Sequence, residues 1–319
     1  MEIKQYAPVI IPTLNRYNHF KRCLESLERC TGADKTDVYV GLDYPPSEKY
    51  VEGWKKIDEY LKEKEKSNGF KNLFVRRRDH NCGVGKKGSN GSLLHQEIEQ
   101  HYDRYISSED DNEFSPNFLE YVNWGLSKFE NDGKVFAISG FLFPEMEGDL
   151  KGSCFLSPFS NAWGTGYWVS RRMDYIQKGS ECYVNEILYS WKKSSKLYFK
   201  RTASLNGLLS MYFRKQYYGD VLKTSEMLLS GKFSLFPTVS KVRNWGHDGS
   251  GVHCDTTDRY INQAIDENSF FECVDPIKVL SVAKGVDFGW IKKVAVAIRY
   301  VGFRLTGKDF MAAYWKGKK

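Results

Sequence analysis

Short β-branched runs alternate with stretches of helical periodicity through the first 140 residues, and few folds accommodate that rhythm. Val9-Ile10-Ile11 is opened by Pro8 and closed by Pro12. Phe20, Cys23, Leu24 and Leu27 follow at the spacing of one helix face. Val38 to Leu42 reads as a second strand, ended by Asp43 and the turn pair Pro45-Pro46, and Trp54, Ile57 and Leu61 mark a second helix. Leu73-Phe74-Val75 is a third strand, with Leu93, Leu94 and Ile98 on the helix after it. Tyr105-Ile106 is a fourth strand. Ser115-Pro116 then reads as a helix start, an N-cap followed by proline at the first helical position. Leu119, Val122, Leu126 and Phe129 carry that helix, and Val135 to Ile138 is a fifth strand. Strands separated by helices pair in parallel through right-handed crossovers. The predicted fold is α/β, an open mixed sheet flanked by helices, with a C-terminal helical extension.

In such sheets ligands bind beyond the carboxyl ends of the strands. The Thr13–Arg16 loop, Asp43 and the triplet Glu109-Asp110-Asp111 all fall at such ends. Three adjacent carboxylates repel one another unless something positive sits among them. A hard divalent cation carrying a phosphate ligand is the partner their oxygens suit. The plain alternative is a solvated acidic turn; three loops meeting at one sheet edge weigh against it.

The 41% hydrophobic content is that of a globular chain, and no run of 18 apolar residues is present to span a bilayer. Met1-Glu2-Ile3-Lys4 lacks the apolar core of a secretion signal. Seven cysteines, odd in number and without CxxC pairing, read as reduced and buried in a cytoplasmic protein. The net charge is +7, yet residues 287–319 hold eight lysines and arginines against two aspartates. The excess therefore lies in the last tenth of the chain, which excludes a uniformly basic nucleic-acid binder. After residue 140 the alternation stops: glycines and aromatics crowd over 159–168, a polar helical stretch covers roughly 171–231, and a Gly-rich patch spans 244–251. The expected organisation is one α/β domain over 1–285, with a ligand half of about 1–140 and a second half of about 141–285, then a basic tail over 286–319.

Gly83, Gly85 and Gly88 match G-x-G-x-x-G, with Glu109 about 20 residues on, as a dinucleotide fingerprint wants. That fingerprint needs its turn directly after a strand, and Arg76 to Cys82 intervene here, so an NAD-linked oxidoreductase is the alternative reading. Arg76-Arg77-Arg78 and Lys86-Lys87 form a basic loop that either holds a diphosphate or is solvated. Ser89 and Asn90 open the next helix and add backbone donors for an anion. Among the histidines, His253 in the Gly-rich patch is weighed as a ligand or metal contact against an ordinary surface histidine.

Four stretches together resemble inverting GT-A glycosyltransferases, a Rossmann-like class, and within it the N-acetylglucosaminyltransferase I group and bacterial polysaccharide glycosyltransferases. They are Val9–Arg16, Leu42-Asp43, Glu109–Tyr121, and the pair Trp163–Trp168 with Pro237–Gly246. The third, read as the family's metal motif and the helix after it, is the most specific. The likeness covers about residues 7–255 and leaves the tail unexplained. It implies that Asp111 binds Mn²⁺ or Mg²⁺ directly, with His253 as a further candidate ligand. Glu109 and Asp110 would meet the donor sugar and ribose. Pro12, Thr13, Arg16 and Asp43 would hold the nucleotide, and Trp163 and Gly164 would stand with these nucleotide-sugar residues. Asp220 falls where the family keeps its catalytic base, although Gly219 stands where an acid or aromatic is usual, and Glu226 is its rival. The implied activity is metal-dependent transfer of a hexosyl or N-acetylhexosaminyl group from a UDP-linked donor to a glycan or lipid-linked acceptor, with inversion. A carbohydrate- or membrane-binding protein without turnover is the non-enzymatic alternative.

In the tail, Ile291, Val294, Ile298, Val301 and Leu305 fall at helical spacing, with Lys292, Lys293, Arg299 and Arg304 beside or opposite them. A basic amphipathic helix with aromatic residues lies in a membrane interface. The expectation is peripheral docking on the inner face of the cell membrane; the alternative is a helix packed back on its own domain.

Overall fold

The computed structural model describes residues 5–84, 88–146, 152–171, 174–251, 256–274, 277–279, 287–312 and 314. β1 (Val9–Thr13) leads to α1 (Tyr17–Glu28), β2 (Asp37–Leu42) to α2 (Val51–Lys66), and β3 (Asn72–Arg77) to α3 (Asn90–His101). β4 (Arg104–Ser107) and a short β5 (Asn112–Phe114) precede α4 (Phe118–Lys128). β6 (Val135–Ser139), β7 (Cys154–Ser157) and β8 (Thr165–Trp168) come next. The helices α5 (Asp174–Lys178), α6 (Ser180–Leu188), α7 (Trp191–Lys200), α8 (Thr202–Arg214) and α9 (Gly219–Ser230) follow. β9 (Phe233–Pro237), β10 (Val242–Asn244), β11 (Lys278–Val279) and α10 (Trp290–Thr306) complete the order.

Nine strands form one sheet in the order β11-β7-β9-β6-β8-β4-β1-β2-β3. β1 runs parallel to β2 and β4, and β2 to β3; β8 is antiparallel to both β4 and β6. The open mixed sheet is thus the one the alternation predicts. The chain divides into two compact units. The first comprises Met1–Leu156, Asn161–Arg171 and Ser234–Lys278, and the second Ser157–Ser160, Arg172–Phe233 and Val279–Lys319.

In the first unit the strand period of two sorts side chains to opposite sheet faces. Val9, Ile11, Val38, Val40 and Leu42 share one cluster with Phe20, Cys23, Leu24 and Leu27 of α1 and with Phe118, Leu119, Val122 and Leu126 of α4. Ile10 and Tyr39 point the other way and meet Leu94 and Ile98 of α3. Covering both faces accounts for the unbroken apolar reading of β1 and β2. Each fully buried Leu, Ile or Phe contributes about 1.5–3 kcal/mol, so these faces fix the strand ends on which the site is built.

Two expectations need correction. α4 begins at Phe118 with Asn117 as its N-cap, two residues later than Ser115-Pro116 predicts. The Ser115 N–H donates to the Lys241 carbonyl at 2.9 Å and its hydroxyl to Asn117 Oδ1 at 3.0 Å, so pairing beyond β5 holds it in the strand. Cys182 is exposed and Cys273 only partly covered, while Cys23, Cys30, Cys82 and Cys154 are buried. Cys182 lies outside the face on which α6 buries Tyr183, Val184, Ile187 and Leu188. In the second unit, α10 leaves its apolar stripe exposed. It buries Ala295, Val296, Arg299, Tyr300 and Phe303 instead. Arg299, expected beside or opposite the stripe, is only 3% exposed and donates to Asp309, Asn206 and Ser210. Among the described residues no helix is long and apolar enough to cross a membrane.

Candidate functional site

The acidic triplet follows β4 and is held by side chains from distant segments. The Thr13 hydroxyl donates to Asp110 Oδ2 at 2.8 Å. Arg16 Nη2 donates to Asp110 Oδ1 and, at 2.7 Å, to Asp111 Oδ2. Asn244 Nδ2 donates to Asp111 Oδ1 at 2.7 Å, and the Trp245 N–H donates to the Asp111 carbonyl at 2.8 Å. Asp110 and Asp111 are both buried. Burial alone would lower the Arg16 guanidinium, but Asp110 and Asp111 raise it and keep it protonated. Burial, then the charge of Asp111, raises Asp110, against the pull of Arg16. Glu109 is pushed up to about 7, first by desolvation and then by Asp111 and Asp110. Trp163 Nε1 donates to its Oε2 at 3.2 Å.

β5 and β10 bring the far end of the sequence here. They pair antiparallel, with Asn112 opposite Asn244 and Glu113 opposite Arg243. The next residues wrap the triplet. Arg22 stacks on Trp245 with its guanidinium carbon 3.8 Å from the ring centre, and Trp245 Nε1 donates to Glu113 Oε2 at 2.8 Å. A Cβ on Gly246 would stand 2.0 Å from Asp111 Oδ2, so this position admits only glycine while Asp111 stays in place. Gly246→Ala is expected to displace that carboxylate and, on the reading proposed below in which Asp111 holds a metal, to weaken metal-supported UDP binding by about 10-fold or more, the scale of losing a group that orients a metal ligand. Thermal unfolding should fall as well, since the displaced carboxylate loses its bonds to Arg16 and Asn244. Titration calorimetry with UDP and Mn²⁺ checks this, and wild-type affinity in the variant would show that the close approach does not matter.

The β2 and β3 ends hold the neighbouring loop. Asp43 is buried, and its N–H donates to the Thr13 carbonyl at 2.9 Å. Its Oδ1 accepts from the N–H groups of Tyr44 and Cys82, and its Oδ2 from the Gly83 N–H at 3.1 Å and from Asn81. In this state its carboxylate organises residues 81–83. Asn90 ties three segments, donating to the Gly41 carbonyl at 2.6 Å and accepting from Arg78 Nε at 3.0 Å. The three arginines after β3 separate in role. Arg76 is bonded to Glu97, and Arg77 to Asp58 and Glu65. Arg78 alone of the three keeps a buried guanidinium nitrogen, Nη2, with no hydrogen-bond partner among the described residues. A buried cationic donor without a partner suits an anionic ligand.

Pro12 lies within β1, paired with Gly41, and so fixes the strand end ahead of Thr13. Gly164 adopts φ +62°, and a Cβ there would meet Val242 at 2.7 Å; its carbonyl accepts from the Gly140 N–H at 2.8 Å. It sets the turn that presents Trp163. The Trp163 ring packs against Phe141, His247 and Tyr260 at centroid distances of 4.6, 5.6 and 5.1 Å, forming an aromatic wall beside Glu109. Asp220 and Glu226 belong to the second unit, on α9: Asp220 is exposed in its first turn and Glu226 is buried. His253, Gly85, Lys86 and Lys87 lie outside the described residues.

The donor set suits a hard cation. Both buried acids present oxygens already set against a positive group, the Arg16 guanidinium. Among the described residues no group of three or more metal-ligating side chains is gathered. Asn244, Gly246 and Arg78 are additions to the candidate site. Sequence reading marked a Gly-rich patch and an arginine run there, but neither indicates which residue faces the triplet.

No protein-family model matches the sequence, and no curated protein matches it. Solved structures resemble it distantly. TarS from S. aureus is 13% identical with a TM-score of 0.34, over 52% of this chain and 29% of its own. A TarS structure spanning residues 1–349 is 11% identical with a TM-score of 0.42, over 98% and 78%. A mannosyltransferase from Pyrobaculum calidifontis, solved with GDP-mannose and Mn²⁺, is 12% identical with a TM-score of 0.37, over 70% and 69%. This chain thus spans under a third of the first of these proteins. At such scores nothing about its donor, metal or acceptor follows from them.

Proposed function

We propose that this chain is a glycosyltransferase that moves a sugar from a nucleoside diphosphate donor to a hydroxyl of a glycan or lipid-linked glycan. The observation that carries the reading is the buried pair Asp110–Asp111 at the carboxyl edge of the sheet, cross-linked by Thr13, Arg16 and Asn244. Sheet position, buried acids and a nearby unpartnered Arg78 nitrogen make a site for a polyanion bound with a cation. Asp111 would hold Mn²⁺ or Mg²⁺, which when bound supplies Lewis-acid stabilisation of the leaving diphosphate.

The chain's own residues supply the rest. Arg78 donates to a phosphate oxygen, a charge-assisted bond that strengthens as the leaving group gains charge. Arg16 donates to both Asp110 and Asp111, and Thr13 fixes the rotamer of Asp110. Asp43 holds the 81–83 loop against the nucleotide, and the wall of Trp163, His247 and Tyr260 gives the sugar an apolar face. In transfer with inversion the acceptor oxygen attacks the anomeric carbon as the bond to the phosphate oxygen breaks. The bond's electron pair leaves with the diphosphate, and the acceptor proton passes to a carboxylate. The family resemblance nominates Asp220 for that carboxylate, with Glu226 as rival. By the same resemblance the base of the nucleotide is uracil and the donor a hexose or N-acetylhexosamine.

The test is a panel of nucleotide sugars incubated with the full chain and Mn²⁺ or Mg²⁺, read as release of nucleoside diphosphate. Release from a UDP-sugar, with UDP binding and no NADH binding, is the expected result. NADH binding without nucleoside diphosphate release would instead favour the glycine fingerprint, although the Gly83 N–H is already engaged by Asp43. No release from any donor, with an intact fold, would reject transfer.

A further inference from the structure

We propose that the second unit docks on an anionic lipid surface through the outward face of α10, independently of the chemistry proposed for the first unit. The helix turns two faces in different directions. Its inner face is covered by α8 and α6, with Tyr300 donating to the Leu188 carbonyl at 3.1 Å and Phe303 edge-to-face with Tyr212 at a centroid distance of 4.9 Å. Its outer face carries Ile291, Val294, Ile298, Val301 and Leu305, between 43% and 75% exposed. Trp290 before them is 76% exposed and Phe310 after them 61%. Ile298, Val301, Leu305 and Phe310 border an open apolar groove of about 530 Å³. A row of large apolar side chains left in water over four helical turns marks a surface that something covers.

Charge decides what covers it. The second unit holds twenty lysines and arginines against seven aspartates and glutamates, a surplus of thirteen. The first unit holds twenty-seven against thirty-three, a deficit of six, so the basic excess of the whole chain belongs to the second unit alone. Some of those cations are engaged: Arg299 with Asp309, Lys293 with Asp287, and Arg304 with the Leu188 and Tyr189 carbonyls. Lys292 and Lys308 flank the stripe exposed, with no acidic partner among the described residues. α7 lies against α10, with Trp191 packed on Tyr300 at 5.2 Å and Tyr198 donating to the Lys293 carbonyl at 3.3 Å. It adds exposed Lys192 and Lys200 and the 81% exposed ring of Phe199. Two copies joined through this face would set like charges together. An anionic leaflet satisfies the apolar row and the lysines at once, the aliphatic face entering the headgroup boundary and the cations staying at the phosphates. No described helix can cross a membrane, so the attachment is in-plane and reversible.

Co-sedimentation of the full chain with phosphatidylcholine vesicles, with and without phosphatidylglycerol, tests this. The chain should pellet only with anionic vesicles and be released by salt. Ile298→Asp and Leu305→Asp, both at exposed positions, should each weaken binding about 10-fold or more. Lys292→Glu and Lys308→Glu should each cost about fivefold or more. Circular dichroism confirms that each variant is folded. Because the wild-type comparison needs no variant, failure of one to fold leaves the test standing. No pelleting of the wild-type chain, or equal pelleting with neutral vesicles, would overturn the proposal. So would a concentration-dependent dimer in solution that Ile298→Asp abolishes, since a second copy would then be the occupant.

Discussion

Asp111→Asn is expected to abolish measurable nucleotide-sugar turnover and to weaken Mn²⁺-supported UDP binding by more than about 10²-fold. Substituting the partners that merely orient a metal ligand typically costs 10–100-fold in affinity, and removing a direct ligand must exceed that. The fold should survive. Breaking a buried ion pair is severe chiefly when a charge is left without a partner. Here Arg16 keeps Asp110, and losing one acid relieves a crowd of three. The amide also retains an oxygen for Asn244 Nδ2, so the stability cost should be about 1 kcal/mol, a single net hydrogen bond. Turnover, calorimetry with UDP and Mn²⁺, and thermal unfolding on the same preparation separate the outcomes. Loss of binding with an unchanged unfolding transition supports Asp111 as the ligand. Wild-type UDP affinity in the variant removes the cation from Asp111.

The effect of Arg16 should differ in kind. It sits against Asp111 Oδ2, so a cation held by Asp111 would compete with the guanidinium for the same negative charge. Arg16 therefore reads as the group that supplies the positive partner for two buried carboxylates. The sequence resemblance assigns it to the nucleotide; its hydrogen bonds place it with the acids.

Local pattern was enough to locate the first unit's scaffold. β1 to β4 and α1 to α4 follow from β-branched runs and i, i+3, i+4 spacing, because both properties are written within a few residues of one another. The carboxyl-edge placement of Thr13, Asp43 and Asp111 then follows from topology alone. What escaped is long-range. β5 and β10 are three residues each and lie about 130 residues apart, and Asn-Glu-Phe and Val-Arg-Asn carry no strand signal. Their pairing supplies Asn244 and Gly246 to the triplet and shifts the start of α4. Side-chain economy was equally hidden: three consecutive arginines look alike in sequence, yet two are neutralised by acids on neighbouring helices and one is left with an open nitrogen. The tail shows the same limit in reverse. Its apolar stripe was legible at helical spacing, but only packing reveals that Tyr300 and Phe303, not the stripe, face the core.

Asp220→Asn is expected to keep donor binding and lose transfer by about 10² or more, the usual effect of deleting a general base. Glu226→Gln should leave turnover within a few-fold of wild type. The two acids differ in setting. Asp220 is exposed in the first turn of α9, where a solvent-facing carboxylate is open to an incoming hydroxyl. Glu226 is 5% exposed on the face that α9 packs inward with Leu222, Met227 and Leu228, so its substitution should be felt in stability before rate. The decisive comparison is the split between binding and rate. A base acts only as the acceptor hydroxyl loses its proton, so Asp220→Asn should lower kcat with UDP affinity unchanged, whereas a merely structural residue would move thermal unfolding and both kinetic constants together. If Glu226→Gln is the slow variant and Asp220→Asn is not, the proton goes to Glu226. If neither slows transfer, the base is neither of these acids, and the single-displacement scheme must recruit a carboxylate elsewhere in the chain.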